Sequence, residues 1–174
     1  WEAETMEWFA RHRNYAASLR EGISGFLLEI AQQDIADKTR DNIGIQLGMI
    51  TDFEAIASSC QSMACMLEKS ARKKIEFSEE LLGQLDPFTE LAQEFLSFVT
   101  SKIGKPLGEA ELALAVEYET RVDACRSGLK KLARKRIKTG SDVRAELQFI
   151  DLIRHIEKIG DNAYSVAVAL REMK

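Results

Sequence analysis

Four carboxylate residues in the C-terminal half of the chain stand at spacings that bring side chains together on helices. Glu119 and Asp123 are four residues apart, and so are Glu157 and Asp161. Because residues i and i+4 lie on the same face of an α-helix, each pair predicts two carboxylates about 6 Å apart along the axis. Each pair then forms one acidic face, provided that both segments are helical.

The residues between the two pairs predict how the pairs face each other. A Thr-Gly-Ser segment centred on Gly140 is typical of a tight turn, and both pairs lie symmetrically about it. Glu119 is as far from this glycine as Asp161. The same holds for Asp123 and Glu157. Since residues equidistant from the turn of an antiparallel hairpin lie side by side, the sequence predicts one patch of four carboxylates.

Such a patch needs compensation, because like charges at these distances repel each other. Protons, basic side chains or a bound cation can supply it, and oxygen ligands suit Mg²⁺, Mn²⁺ or iron. The candidate ligands for a divalent or iron-type metal are Glu119, Asp123, Glu157 and Asp161. In the alternative interpretation, the patch is a solvated face paired with neighbouring basic residues. These neighbours are Arg121, Arg126, Arg154 and Lys158.

The rest of the chain predicts the helices that position this patch. Apolar residues recur at three- and four-residue steps, and only two prolines and ten glycines interrupt them, which predicts an all-α fold. Helices are expected over residues 2–33, 38–74, 79–103, 109–138 and 142–174. Ser78 and Ser141 are the expected N-caps of the third and fifth helices. Pro87 either kinks the third helix or follows a new cap at Asp86.

The second and fifth helices carry a repeated pattern. A shift of 103 residues aligns Ile50 with Ile153, Glu54 with Glu157, Ile56 with Ile159, Ala64 with Ala167 and Leu67 with Leu170. The repeat predicts two related units, residues 1–74 and 75–174, and the first has no counterpart of the third helix. It also lacks the acidic patch: Ser58 stands in the place of Asp161, and the facing positions are His12 and Ala16.

The residues of this repeat resemble a known family. His155–Ala163, with the sequence HIEKIGDNA, is similar to the signature of PhoU-like regulators of phosphate uptake, and Asp52–Cys60 occupies the equivalent place in the first unit. The spacing of Glu119 and Asp123 resembles the family's second acidic pair. The resemblance implies paired antiparallel three-helix bundles, the first without its first helix, whose acidic motifs can hold metal. Leu27–Ile30 and Phe77–Glu79 resemble the cytoplasmic tails of bacterial sodium/phosphate cotransporters in particular.

This resemblance implies a regulatory and interaction domain, not an enzyme. Its partner would be the membrane transporter domain of the same polypeptide, at the cytoplasmic side of a bacterial inner membrane, with self-association left open. The alternative is a stand-alone PhoU-type regulator that acts on a separate transporter and sensor kinase. Residues upstream of Trp1 distinguish the two, since membrane spans there indicate a transporter tail. A carboxylate-bridged metalloenzyme is disfavoured, because neither Glu54 nor Glu157 has a histidine three residues later.

Composition argues against several other classes. The net charge of −4 disfavours a nucleic-acid binder. No apolar run is long enough to cross a membrane, and the three cysteines lack zinc-type spacing, which predicts reduced core residues. Residues 130–138 hold six basic side chains, which predicts a solvated helix end that complements the helix dipole. The alternative is a tip that meets anionic lipid head groups or an acidic partner.

Overall fold

The computed structural model describes residues 3–173 and contains five α-helices joined by short loops. The helices are α1 (Ala3–Ala31), α2 (Asp37–Arg72), α3 (Glu79–Thr100), α4 (Glu109–Lys138) and α5 (Val143–Glu172). No strand occurs in this part of the chain. The prediction of an all-α fold is therefore confirmed, and the expected helix ends differ from the observed ones by three residues at most.

Local sequence explains where two of the helices begin. The Ser78 hydroxyl caps α3 by accepting a hydrogen bond from the Leu81 amide at 3.3 Å, as predicted. The prediction of Ser141 as the cap of α5 was wrong, because the Asp142 carboxylate accepts from the Arg144 amide at 2.9 Å. A charged carboxylate is favoured at this position by the positive end of the helix dipole.

Pro87 lies inside α3 without ending it. The helix runs from Glu79 to Thr100 without a break, so Asp86 does not cap a new helix. Proline removes the amide that would bond to the carbonyl four residues earlier. That residue is Gly83, which is exposed, so water can replace the missing hydrogen bond on the solvent side.

The helices assemble around α5. This helix packs against α2, α3 and α4, α3 also packs against α4, and α1 packs against α2 alone among the described helices. α2 and α5 are antiparallel, because Gly44 near the start of α2 lies beside Glu172 and Lys69 near its end lies beside Gln148. The α1–α2 and α4–α5 hairpins therefore point towards opposite ends of the molecule.

The hydrophobic core lies mainly among α3, α4 and α5. Its largest fully buried side chains are Phe88, Phe95 and Phe149, and α2 contributes Met49. The three cysteines are free and half-buried, as expected for small core residues. Within residues 3–173, no helix has both the length and the apolar character needed to cross a bilayer.

Burial along α2 follows burial along α5 in part at the shift of 103 residues. Ile56 and Ile159 are both buried. Leu67 is only half-buried, whereas its counterpart Leu170 is completely buried. This difference is expected if the first unit, residues 1–74, has two helices where the second, residues 75–174, has three.

α1 exposes a line of large apolar side chains, called here the α1 stripe. Its members are Trp8, Tyr15, Leu19 and Phe26. They follow one another at seven-, four- and seven-residue steps, which places them on one helix face. Tyr15 and Phe26 are 63% and 62% exposed, so no other described helix covers this face.

Candidate functional site

The α4–α5 hairpin brings the predicted carboxylates together. The turn is centred on Gly140, whose φ of +98° favours glycine. Glu119 on α4 and Asp161 on α5 share a hydrogen bond, and Asp123 and Glu157 are close enough to perturb both. The predicted register of the hairpin is therefore correct.

Two of the four carboxylates are joined by an arginine. The Arg126 guanidinium donates to Glu157 and, through Nη2, lies 3.2 Å from Asp123 Oδ1. Lys130 Nζ lies 3.5 Å from the other oxygen of Glu157. The Glu157 side chain is buried, so it is a paired core carboxylate and not part of a solvated face. Arg126 was among the pairing partners expected from the sequence, and Lys130 was not.

The other two carboxylates are linked by a hydrogen bond when Glu119 is protonated. Burial raises the pKa of Glu119 to about 7, and the nearby charges of Asp161 and Asp123 add to the effect. Burial and the charge of Glu157 also raise the pKa of Asp161. The hydrogen bond raises the pKa of Glu119 and lowers that of Asp161, so protonated Glu119 is the donor and Asp161 accepts.

Gly160 makes this close arrangement of helices possible. A Cβ atom built at Gly160 would lie 2.9 Å from Cγ1 of Val122, closer than real Cβ contacts allow. Valine is stiff about χ1 and cannot easily turn away. The glycine before Asp161 therefore lets α4 and α5 approach at the level of the acidic patch.

The equivalent position in the first unit is an ion pair without an acidic patch. Glu54 on α2 forms ion pairs with two arginines of α1: its carboxylate lies 2.6 Å from Arg20 Nε and 3.9 Å from Arg13 Nη2. Glu54 and Glu157 are thus each paired with two cations from the preceding helix. His12 is exposed and stacks on Trp8, with ring centroids 3.8 Å apart, so it is a surface packing residue as expected.

The sequence predicts these four carboxylates as metal ligands. Arg126 contacts Asp123 and Glu157, and burial and neighbouring charges raise the pKa of Glu119 and so favour a proton on it. Across residues 3–173, no three His, Cys, Asp or Glu side chains form a group that could hold a metal. Arg126 and protonation of Glu119 each offset part of the negative charge that suggested a metal, and metal binding by this set stays a prediction.

A second buried ion pair lies at the hairpin turn, and the sequence did not indicate it. Arg136 donates to both oxygens of Glu146, at 2.7 Å from Nε and 3.1 Å from Nη2, and to Gln84 of α3 at 2.8 Å. Glu146 is only 1% exposed. The prediction that residues 130–138 form a solvated helix end is wrong for Arg136, which lies over the Phe149 ring at 5.1 Å. The one available signal in the sequence was that Arg136 and Glu146 lie ten residues apart, on either side of the turn predicted at Gly140.

Comparison with family models, with characterised proteins and with solved structures found no match for this chain.

Replacing Glu119 with glutamine is expected to raise the free energy of unfolding by about 1–2 kcal/mol at pH 8, allowing for the partial exposure of the site. A raised carboxyl pKa means that the folded state binds the proton more tightly, so wild-type stability falls as pH rises from about 4.5 to about 7. Glutamine keeps a donor for Asp161 without the charge. Urea denaturation between pH 4.5 and 8 measures the effect.

The matched control for this change is Glu117→Gln, an exposed carboxylate on the same helix. It should leave the pH dependence of unfolding as it is in the wild type. A Glu119→Gln variant whose stability falls with pH as steeply as that of the wild type would contradict the raised pKa of Glu119.

Proposed function

We propose that this chain is a PhoU-like regulatory and interaction domain of a sodium-dependent phosphate cotransporter. It modulates phosphate transport from the cytoplasmic side of the membrane by contact with the transporter domain of the same polypeptide. The resemblance of residues 155–163 and the two repeated hairpins support the family. The observation that carries the interaction role is the uncovered α1 stripe.

The ion pairs of the two units relate α1 to α4. Arg20 of α1 pairs with Glu54, and Lys130 of α4 pairs with Glu157. Placing Arg20 on Lys130 is a shift of 110 residues, three more than the shift that sets His12 and Ala16 on Glu119 and Asp123. The same shift places Trp8 on Tyr118. At this shift the α1 stripe corresponds to Tyr118, Cys125, Leu129 and Arg136.

In the second unit, the corresponding face of α4 is covered by α3. The Tyr118 ring stacks on Phe95 with centroids 5.0 Å apart and contacts Phe98 at 5.8 Å. At the other end of this face, Arg136 donates to Gln84 of α3. The α1 stripe thus corresponds to the face of α4 that α3 covers in the second unit. In the first unit, no described helix covers this face.

The occupant that fits this face is an amphipathic helix with the apolar pattern of α3, supplied by the transporter domain. α3 presents buried residues at three- and four-residue steps: Leu81, Leu85, Phe88, Leu91 and Phe95. The stripe runs from Trp8 to Phe26, a rise of about 27 Å along α1, which is long enough for five helical turns. Docking there would complete the first unit as a three-helix bundle.

The test is sodium-dependent phosphate uptake by cells that express the full-length protein carrying Tyr15→Ser and Phe26→Ser. Two exposed aromatic anchors of an interface contribute about 1–2 kcal/mol each, so docking should weaken by roughly a hundredfold. Uptake at equal membrane abundance should then differ from the wild type. The matched control is Leu28→Ser with Leu114→Ser, which removes exposed leucines away from the stripe.

Two outcomes would overturn this proposal in different ways. Unchanged phosphate uptake in the stripe variant would show that the stripe is not the regulatory contact. A coding sequence without membrane spans in the same polypeptide, together with an altered phosphate-starvation response in the variant, would favour the alternative of a stand-alone PhoU-type regulator.

A further inference from the structure

One end of the molecule gathers the C-terminal ends of two helices. Since α2 and α5 are antiparallel, the end of α2 lies beside the start of α5, where Lys69 and Lys73 line a groove with Gln148 and Asp151. The α4–α5 turn lies at the same end. This end, called here the basic end, therefore combines the last turns of α2 and α4.

Seven cationic side chains of the basic end have no ion-pair partner among the described residues. They are Lys69, Lys73, Lys74, Lys131, Arg134, Lys135 and Lys138. The last four line one shallow, open groove together with Gly128 and Leu132. By contrast, the other two cations of residues 130–138 bind carboxylates: Lys130 binds Glu157 and Arg136 binds Glu146.

Compensation of the helix dipoles does not account for so many cations. Each helix C-terminus carries about half a negative charge, so two helix ends need roughly one positive charge between them. Seven unpaired cations exceed this need, although the whole chain has a net charge of −4. Exposed carboxylates also lie at this end, where α3 and α5 begin, and the seven unpaired cations outnumber them: Glu76, Glu79, Glu80 and Asp142.

Exposed aliphatic side chains accompany these cations. Leu132 lies within the basic groove on α4, and Val143 and Leu147 are exposed on the first two turns of α5. Their exposed fractions lie between 42% and 53%. Cations with interspersed aliphatic groups on the outer face of a helix are the chemistry of binding to an anionic membrane surface.

We infer that the basic end binds the surface of a bilayer that contains anionic lipids. The cations are spread over two helix ends and open grooves, so they suit an extended array of head groups better than a single small anion. Long lysine and arginine side chains reach phosphate and carboxylate groups at the lipid surface, and the leucines can enter the interfacial layer. This inference is independent of the proposed function, because it concerns lipid binding by the chain itself.

Sedimentation with lipid vesicles tests the inference on the 174-residue chain. One vesicle preparation contains phosphatidylserine and phosphatidylcholine, and the other contains phosphatidylcholine alone. We expect binding to the anionic vesicles only, and weaker binding as the salt concentration rises, because salt screens exposed charges. Neutralising Lys131, Arg134, Lys135 and Lys138 with glutamine should lower the partition coefficient by roughly tenfold or more.

Two further variants distinguish binding by the basic end from a general effect of the net charge of the chain. Arg11, Lys38, Lys105 and Lys158 are exposed and scattered over the molecule, and their replacement by glutamine changes the net charge equally. This control should bind anionic vesicles nearly as well as the wild type. Replacing Lys69, Lys73 and Lys74 with glutamine changes only the end of α2 and the turn after it, so it tests the basic end even if the α4 variant is unfolded. Far-UV circular dichroism checks the folding of each variant.

Several results would overturn the inference. Equal binding to both kinds of vesicle would show that lipid charge plays no role. If the scattered control loses as much vesicle binding as the α4 variant, then binding depends only on the net charge of the chain. No binding to anionic vesicles at low salt would exclude the membrane as the occupant. Binding to immobilised polyglutamate without binding to vesicles would assign the surface to an acidic protein instead.

Discussion

Replacing Arg136 with alanine is expected to lower the free energy of unfolding by about 3–5 kcal/mol, the usual effect of breaking a buried ion pair. The side chain of Glu146 is 2% exposed and that of Arg136 is 15% exposed, so water cannot replace the lost cation fully. The change also removes the donor to Gln84 Oε1 and the cation over the Phe149 ring. Urea denaturation monitored by circular dichroism measures the loss.

The control for this change lies on the same helix. Arg134 is exposed and forms no ion pair with the described residues, so Arg134→Ala should change stability by about 0.5 kcal/mol or less. Replacing both Arg136 and Glu146 with leucine should recover much of the loss, because no buried charge then lacks a partner. An Arg136→Ala variant as stable as Arg134→Ala would show that the pair does not stabilise the fold.

Replacing Arg126 with glutamine is expected to lower the free energy of unfolding by about 1–3 kcal/mol at pH 8. Without the guanidinium, Glu157 keeps only Lys130, and Asp123 loses its contact. Burial raises the pKa of Asp161 and the Arg126 charge lowers it, so this pKa should rise further without Arg126. The folded state then binds protons more tightly, so the deficit should shrink as pH falls from 8 to 5.

Metal ions give this variant a second measurement. If Arg126 occupies the place of a cation, Mn²⁺ should raise the melting temperature of Arg126→Gln more than that of the wild type. A metal at a hundredfold excess over its dissociation constant stabilises a protein by about 2.7 kcal/mol. The control is Arg121→Gln, whose guanidinium lies over the Tyr118 ring and forms no ion pair with the described residues. Strong stabilisation of the wild type, lost with Glu157→Gln and Asp161→Asn, would instead establish the four carboxylates as a metal site.

The sequence predicted the backbone of the acidic site well, because a helical hairpin has few free parameters. One turn glycine, Gly140, sets the register, and the period of the helix sets the faces. The contact between Glu119 and Asp161 follows from these two facts alone. Burial of Ile56 and Ile159 at equivalent places follows likewise from the repeat.

The charge state of the four carboxylates was harder to predict, because it depends on which basic side chain of α4 points towards them. Arg121 and Arg126 are both close to the carboxylates in sequence, yet only Arg126 faces α5. Similarly, one of the six basic residues in 130–138 is buried against Glu146, and the sequence does not distinguish it from the others. The close contact between α5 at Gly160 and Val122 of α4 depends on the distance between the two helices, and no local sequence pattern predicts that distance.

The attachment of α1 to α2 alone makes the stability of the molecule uneven along its length. The remaining four helices share the core around α5, so losing any of them exposes large buried side chains. Detaching α1 exposes one buried residue of its own, Leu27, together with the face of α2 that it covers. The chain is therefore built as a cooperative four-helix body with one helix that can open separately, at lower free energy than global unfolding.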